Sequence, residues 1–406
     1  MPSDTGRRRA GRVIVAAFQT ASRANGGLES LLQIVRGLHR STVTVTQCEG
    51  PLVDALREAG KDVVVWPMPA LRAATSRLDR AGLLARRAIT LPSFNAKAAS
   101  LVRQHDAPVV LCNDISSLWH LAPGAKAAGA RIAFTIRDMF PPEAAYGPKW
   151  RLAMSLADVV IVLSESMREE TLRRIPPMHG EPPRVETIYS IVAGATSVPA
   201  PAADRSAARQ RLGLANHVPV VSYVAGVCAK KNQLAFIERA APALLRRHPG
   251  TQVAFVGDFH PDADAYAARC AEAARAVDPS GAHLRFVGYT PNVRDYYLAA
   301  DVTLLASRYE GLARCMIESM AVGTPVVSFD VTSAREMLEG YGAGLVSSLD
   351  DFPGIVENVA RLLDDSPLAR GMGTRGAHVA ARLFRREEAV ARYEAVLDGL
   401  AEESRG

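Results

Sequence analysis

Two glutamates, Glu310 and Glu318, lie in the stretch SRYEGLARCMIESMAVGTPVV. The apolar run DVTLLAS before them predicts a buried strand, and LARCMIESMAVG predicts a helix that ends at Gly323 as its C-cap. Glu310 would then lie at the carboxyl end of the strand, and Glu318 about two turns into the helix. Because an unpaired buried carboxylate is costly, two interpretations are open. Either both carboxylates face a ligand, or Glu310 caps the helix and Glu318 is solvated.

The turn between the two glutamates offers backbone donors to a ligand. Gly311 lets the backbone approach a bound molecule closely. The N–H groups of Leu312 and Ala313 would lie at the positive end of the helix dipole without helical acceptors.

Two further loops have the composition of phosphate-binding turns. In VAGVCAKKNQLAFIER, Lys230 and Lys231 precede a predicted helix that Asn232 could cap, which suits phosphate oxygens. In TASRANGGLESLLQIVRGL, Gly26 and Gly27 precede the first predicted helix. The alternatives are a basic surface turn and a plain flexible turn. The second loop does not fit G-x-G-x-x-G, so it does not indicate a dinucleotide site.

Short apolar strands alternate with amphipathic helices along the chain. This alternation predicts an α/β protein with two doubly wound, Rossmann-like domains, whose ligands bind at the carboxyl ends of the strands. The interpretation divides the chain into a basic tail, an N-terminal domain, a Pro/Ala-rich hinge, a C-terminal domain and a closing helix that packs back toward the N-terminal domain. The boundaries are 1–11, 12–195, 196–208, 209–380 and 381–406.

Composition limits the class of protein. The 406 residues are 48% hydrophobic and 22% charged, and 48 Lys and Arg exceed 42 Asp and Glu for a net charge of +6. This mild excess suits anionic small molecules or an acidic membrane surface and argues against nucleic acid as a partner. Five scattered cysteines without a C-x-x-C pair predict neither disulfides nor zinc, and favour the cytoplasm. The run VIVAAF is too short for a signal sequence or a membrane span, so a soluble protein is expected.

Together these segments resemble the GT-B retaining glycosyltransferases of family 4. Glu310 and Glu318 match the family's E-x7-E signature. SMAVGTPVVSFD and AREMLEGYGAGLV match the blocks that follow it, KKN matches its diphosphate lysine segment, and GGLE matches its N-terminal glycine loop. The resemblance is strong over about residues 220–350 and weaker before them.

The resemblance implies a role for each matching position in binding a nucleotide-sugar. Glu318 would accept hydrogen bonds from the ribose diol, and Glu310 would lie beside the donor sugar. The donor-binding positions implied by the resemblance also include Gly27, Lys230, Lys231, Gly288, Tyr289, Gly311, Leu312 and Ala313.

Among these positions, Lys231, helped by Lys230 and the Gly27 loop, would hold the diphosphate and stabilise its charge as it leaves. The base would lie near Gly288 and Tyr289. Glu310 and Lys231 are therefore the expected catalytic residues. Neither a cofactor nor a metal is expected, because fixed cations and helix dipoles can stabilise the leaving group.

The sequence departs from the family pattern in two places. Gly226-Val227-Cys228 stands where the family often has an arginine, so Lys230, Arg314 or Arg308 could supply the missing cation. Arg137-Asp138 stands where the family often has a His-Asp or His-Gly pair. Because arginine is not a base at neutral pH, these two residues would stabilise charge or bind the acceptor, or else simply pair with each other.

The expected reaction moves a hexosyl or N-acetylhexosaminyl group to a hydroxyl of a glycan, a lipid-linked molecule or a small molecule. The basic segment 71–105 could rest on an anionic membrane, or could be an ordinary amphipathic helix pair. Two alternatives to the transferase remain: a nucleotide-sugar epimerase or phosphorylase of the same fold, and a non-catalytic protein that binds nucleotide-sugars or glycans.

Overall fold

Two parallel sheets organise the chain. The computed structural model describes residues 12–18, 26–67, 77–141, 143–192 and 198–404, with the backbone alone for 77–89. Within these ranges seven strands form the first sheet in the order β3-β2-β1-β4-β5-β6-β7. In chain order, β1 to β7 are Val13–Ala17, Thr42–Thr46, Asp62–Val65, Val109–Cys112, Arg131–Thr135, Val159–Val162 and Arg184–Thr187.

The second sheet has the order β10-β9-β8-β11-β12-β13. In chain order, β8 to β13 are Val220–Val224, Gln252–Val256, Leu284–Gly288, Val302–Leu305, Val326–Phe329 and Gly344–Ser347. The strand pairs in both sheets are parallel. The predicted architecture of two Rossmann-like domains is therefore confirmed.

Helices connect the strands of each sheet. Six belong to the first half of the chain: α1 Gly26–Gly37, α2 Pro51–Glu58, α3 Arg77–His105, α4 Ile115–Ala127, α5 Pro148–Leu156 and α6 Glu165–Arg174. The remaining nine in the described part of the chain are α7 Ala202–Arg211, α8 Gln233–Arg239, α9 Ala241–Arg247, α10 Ala265–Val277, α11 Val293–Ala299, α12 Arg314–Val322, α13 Phe352–Asp364, α14 Ser366–Leu383 and α15 Arg386–Glu403. No helix in the described ranges is long and apolar enough to span a bilayer.

Part of the expected hinge is a helix. Residues 202–208 belong to α7, which is fixed to the second domain through Asp301 at the start of β11. Arg209 donates to Asp301 at 2.9 Å and to the carbonyl of Ala299 at 2.9 Å. The sequence predicts a linker here because the segment is rich in Pro and Ala and has no strand pattern. Here buried arginine hydrogen bonds anchor the helix instead.

The closing helix α15 packs on the first domain. Its Tyr393, Leu397 and Leu400 are buried in one cluster with Val13 of β1 and Leu31 of α1. The last helix of the chain therefore covers the first sheet rather than the sheet that precedes it in sequence.

The segment predicted to contact a membrane divides into two parts. Residues 71–76 lie outside the described residues, and the rest forms the single helix α3 rather than a helix pair. Phe94, Ala98 and Leu101, in its second half, are buried in the core against α4.

The two domains touch directly. The hydroxyls of Ser164 and Ser333 are hydrogen bonded at 2.7 Å in a buried contact. Glu336 of the second domain accepts the N–H of Ser166 at 2.7 Å and the hydroxyl of Tyr189 at 2.9 Å. The carboxylate at the N-terminus of α6 is favourable, because this is the positive end of the helix dipole.

Candidate functional site

The site lies where the strand order of the second sheet reverses. Strands β8 and β11 are neighbours, but the chain leaves them toward opposite edges of the sheet. Loops at such a point separate and leave a crevice at the carboxyl ends of the strands. Lys231 follows β8 and Glu310 follows β11, so residues 79 apart in sequence meet at this crevice.

Lys231 and Glu310 form an ion pair in the crevice. The Glu310 side chain is 5% exposed, and its second oxygen lies 3.4 Å from Nζ of Lys230. Burial opposes the charged form of Lys231, but the Glu310 carboxylate outweighs it and raises the lysine's pKa. Two ammonium groups thus lie beside one buried carboxylate in the crevice.

Local backbone contacts hold the two lysines in place. They lie in a short 3₁₀ turn, Ala229–Lys231, and the carbonyl of Lys231 accepts the hydroxyl of Tyr223. The N–H of Arg308 donates to the carbonyl of Lys230 at 2.9 Å. The loop after β8 is therefore tied to the loop after β11.

Asn232 occupies the N-cap position of α8, as predicted, but its side chain does not cap the helix. Asn232 has a left-handed backbone with φ 63° and makes no side-chain capping bond. Gln233 stabilises the loop instead, because its amide accepts the N–H of Cys228 at 3.4 Å and donates to the carbonyl of Gly226 at 3.0 Å. The left-handed turn had no signal in the sequence beyond the tolerance of Asn for this conformation.

Glu318 is neither solvated nor unpaired. Its side chain is 23% exposed, one oxygen accepts Nε of Arg314 at 2.9 Å, and the other accepts the hydroxyl of Tyr297 at 3.0 Å. Arg314 also donates to Oγ of Ser30 at 2.8 Å, on α1 of the other domain. A Cβ on Gly26 would lie 1.9 Å from Cδ of Arg314, so the Gly26-Gly27 start of α1 lies directly against this arginine.

The turn between the glutamates leaves the start of α12 without a side-chain cap. Ala313 occupies the N-cap position and makes no capping bond, and Leu312 before it is buried. Gly323 ends the helix in a left-handed conformation with φ 85°, as predicted. The N–H groups at the start of α12 therefore remain available to a ligand.

Gly288 and Tyr289 lie at the same edge of the sheet, at the end of β10. Gly288 has φ 79°, and its carbonyl accepts the N–H of Gly257 at 2.9 Å. Tyr289 is 53% exposed. Strand β9 separates them from the lysine loop, so they lie beside the crevice.

The loop after β5 brings the first domain to the Glu310 turn. Asp138 accepts Nζ of Lys230 at 2.9 Å and the N–H of Gly311 at 3.3 Å. Arg137 donates instead to Oδ1 of Asn113 at 2.9 Å, and burial lowers its pKa. The alternative that Arg137 and Asp138 pair with each other is therefore wrong.

Three further residues of the site were not predicted from the sequence: Asn113, Tyr297 and Ser30. Asn113 directly follows a predicted strand and could have been found by that position. Tyr297 and Ser30 had no such signal, since each lies inside a helix.

The sequence DAD, residues 262–264, places two carboxylates close together in the loop after β9. Asp264 caps α10 by accepting the N–H groups of Tyr266 at 2.8 Å and Ala267 at 3.0 Å. Among the residues whose side chains are described, no group of three or more His, Cys, Asp or Glu side chains could hold a metal ion.

Comparison with known proteins identifies the family. Residues 218–365 match the family model for Glycosyl transferases group 1, and residues 25–193 match the model for Glycosyltransferase Family 4. The lipopolysaccharide core biosynthesis mannosyltransferase LpsB of Rhizobium meliloti is 32% identical over 117 residues, or 28% of this chain and 33% of that protein. The alignments with three of the curated relatives span from 29% to 59% of the relative's length.

A longer alignment joins the chain to a GDP-mannose-dependent monoacylated α-(1-6)-phosphatidylinositol monomannoside mannosyltransferase of Corynebacterium glutamicum. It is 26% identical over 300 residues, which are 71% of this chain and 76% of that protein. The structure of Anabaena HepE in complex with UDP and glucose superposes with a TM-score of 0.76 at 18% identity, over 96% of this chain and 99% of that one. The chain therefore belongs to the family 4 glycosyltransferases, the glycosyl transferases group 1, and has the GT-B fold.

Proposed function

We propose that the chain is a retaining glycosyltransferase that moves a hexosyl or N-acetylhexosaminyl group from a nucleoside-diphosphate sugar to an acceptor hydroxyl. The observation that carries this proposal is the Lys231–Glu310 pair, with Lys230 beside it, at the crevice between β8 and β11. The two ammonium groups suit a diphosphate, and the carboxylate suits sugar hydroxyls.

The proposed donor lies across the start of α12. The diphosphate contacts Lys231, Lys230 and the start of α1 at Gly27, where helix dipole and ammonium groups favour negative charge. The base lies near Gly288 and Tyr289. The sugar lies beside Glu310 and the Gly311 turn, with its hydroxyls on the N–H groups of Leu312 and Ala313.

In this proposal Glu318 accepts the ribose hydroxyls. Its carboxylate already accepts one hydrogen bond from Arg314 and one from Tyr297, so it is oriented before a ligand arrives. A carboxylate has about four lone-pair sites, which leaves acceptor capacity for a diol. Arg314 lies directly against Gly26. Its guanidinium can supply the positive charge that the family often places a few residues before the position of Lys231, where this sequence has no arginine.

The proposed reaction breaks the bond between the anomeric carbon and the diphosphate oxygen and forms a bond to the acceptor oxygen on the same face. The acceptor proton passes to the departing diphosphate oxygen, and Lys231 stabilises the charge that develops there. We expect no metal to be needed, because fixed cations surround the leaving group.

The comparisons support a nucleotide-linked donor and a glycan or lipid-linked acceptor. HepE was solved with UDP and glucose, and the Corynebacterium relative is named for GDP-mannose and a phosphatidylinositol monomannoside. LpsB is named for lipopolysaccharide core biosynthesis. We extend these classes to this chain as a proposal, together with a cytoplasmic location and contact of segment 71–105 with an anionic membrane.

The test is a thermal-shift panel of UDP, GDP and ADP and their common sugar conjugates, with and without EDTA. A ligand that binds the native state alone raises the melting temperature by mass action. The panel is repeated on Glu318→Ala and on Glu402→Ala, a matched control because Glu402 is exposed and lies eight residues after another glutamate, Glu394.

We expect a shift for one base that survives EDTA and Glu402→Ala and is lost in Glu318→Ala. A folded protein that responds to no nucleotide would overturn the proposal and favour a glycan-binding role.

A further inference from the structure

Four aromatic side chains from both domains meet beside Lys230. Phe140 lies at the centre, with ring centroids 5.2 Å from Tyr146, 5.8 Å from Trp150 and 6.2 Å from Tyr309. The first three follow β5 in the N-terminal domain, and Tyr309 directly precedes Glu310. The cluster therefore spans the two domains next to the crevice.

Phe140 is the exposed member of this cluster. It is 37% exposed, although Tyr146 beneath it is 7% exposed. Its backbone is fixed on both sides, because its N–H donates to the hydroxyl of Tyr146 at 2.8 Å and its carbonyl accepts Arg174 at 3.0 Å. An aromatic ring that is held this firmly yet reaches solvent is a preformed apolar surface.

Charged groups lie at one side of this surface. Nζ of Lys230 is 5.0 Å from the ring centroid of Tyr309 and 2.9 Å from Oδ2 of Asp138. The same nitrogen is 3.4 Å from Glu310. The Asp138 side chain is 56% exposed, so its carboxylate remains open to a ligand.

We propose that Phe140 and Asp138 bind the acceptor as a pyranose ring. This inference rests on the proposed function, since it places the acceptor beside the Glu310 that would lie against the donor sugar. One face of a pyranose carries C–H bonds and would stack on the Phe140 ring, which removes apolar surface from water. The ring's hydroxyls would donate to Asp138.

The charges favour a sugar over a hydrocarbon chain in this position. A lipid tail against Phe140 would also cover Asp138 and Lys230, and these groups would lose water without gaining hydrogen bonds. A pyranose offers an apolar face and a polar edge together. A lipid-linked acceptor would therefore present its glycan part here, with its hydrocarbon part elsewhere.

The test uses the full-length protein saturated with whichever nucleotide raises its melting temperature. Saturation-transfer NMR is recorded with hexyl β-D-glucopyranoside and with methyl α-D-mannopyranoside, because ring and alkyl protons report separately. The variants are Phe140→Ala, Phe140→Leu, which keeps an apolar side chain but removes the flat ring, and Phe140→Tyr, which keeps the ring. Leu172→Ala is the matched control, since Leu172 is 43% exposed and lines a different groove, with Arg168 and Pro183.

We expect ring protons to be saturated in the wild type, in Phe140→Tyr and in Leu172→Ala. Phe140→Ala and Phe140→Leu should lose about tenfold in sugar affinity, which corresponds to about 1.4 kcal/mol. The melting-temperature shift caused by the nucleotide should stay unchanged in all four variants, which separates sugar binding from donor binding and from folding.

Three results would overturn the pyranose site: sugar binding that does not depend on Phe140, a Phe140-dependent signal on the hexyl chain instead of the ring, or no ring signal while the nucleotide binds. The absence of any nucleotide shift in the wild type would instead overturn the proposed function itself.

Discussion

Replacing Gly311 by alanine tests how closely the two domains approach at the site. A Cβ on Gly311 would lie 2.2 Å from the carbonyl oxygen of Arg137 and 3.0 Å from Cε of Met167, both in the N-terminal domain. The methionine methyl group can move, but the carbonyl belongs to a backbone that Asp138 also ties to this turn. The added methyl group must therefore separate the Glu310 turn from the loop after β5.

The magnitude follows from the overlap. Non-bonded heavy atoms are most favourable near 3.5 Å, so relief of a 2.2 Å contact needs a shift of about 1 Å. Overpacking of this kind costs about 1–3 kcal/mol of stability. A misplacement of about 1 Å at a reacting centre can lower the reaction rate about 100-fold. Gly311→Ala should therefore have a strong effect on the turnover rate and only a moderate effect on the free energy of unfolding.

The assay measures turnover of the nucleotide-sugar identified by the thermal-shift panel, together with the melting temperature. Gly399→Ala is the matched control, because a Cβ there meets no heavy atom within 4 Å and the position lies in α15. That variant should keep full activity and gain about 0.5–1 kcal/mol of stability, as alanine does over glycine inside a helix.

A Gly311→Ala turnover rate within threefold of the wild-type rate would refute this prediction. Such a result would mean that the two domains do not need this close contact during the reaction.

Three further substitutions test the electrostatics of the protein. Lys231→Ala should reduce kcat/KM for the donor by about 100-fold or more in steady-state kinetics, because the leaving group loses charge stabilisation. An unchanged kcat/KM would contradict the role of Lys231 in stabilising the leaving group. Tyr297→Phe removes one hydrogen bond to Glu318 while keeping the packed ring, so nucleotide affinity measured by calorimetry should fall about threefold to tenfold; unchanged affinity would show that the hydroxyl does not orient the carboxylate. Asp278 accepts three hydrogen bonds that outweigh burial and hold its pKa below the ordinary value. In urea unfolding at pH 7, Asp278→Asn should therefore have a free energy of unfolding about 1–3 kcal/mol below that of the wild type. This difference should shrink as the pH falls through the lowered pKa of the folded carboxyl, because the wild type then loses the same charge. A difference that stays constant with pH would contradict this assignment.

The architecture could be predicted from the sequence because most strands are continuous apolar runs. Strands β2, β7 and β13 were not predicted. TVTVT of β2 is buried at all five positions although it alternates Thr with Val, and RVET of β7 has the composition of an exposed loop. Parallel pairing with a neighbouring strand fixes these segments, and one sequence does not show its neighbours.

The site was predicted in its residue types but not in its contacts. Glu310 and Lys231 meet because β8 and β11 are adjacent, a fact of strand order that no local pattern contains. Glu318 is oriented by Arg314, four residues earlier on the same helix, and by Tyr297 on a different helix. Phe140 was not predicted from the sequence, because its exposure depends on how the loop after β5 folds.

The proposed transfer from a nucleotide-sugar retains the anomeric configuration, and the anomeric proton of the product reports that configuration by NMR. The protein would be incubated in EDTA with the α-linked donor that it binds and with methyl α-D-mannopyranoside or methyl β-D-glucopyranoside, and the new anomeric signal followed by NMR. We expect an α-linked product formed at the rate of nucleoside diphosphate release, and formation slower by about 100-fold or more with Lys231→Ala. A β-linked product, or activity that EDTA abolishes, would contradict the proposed reaction.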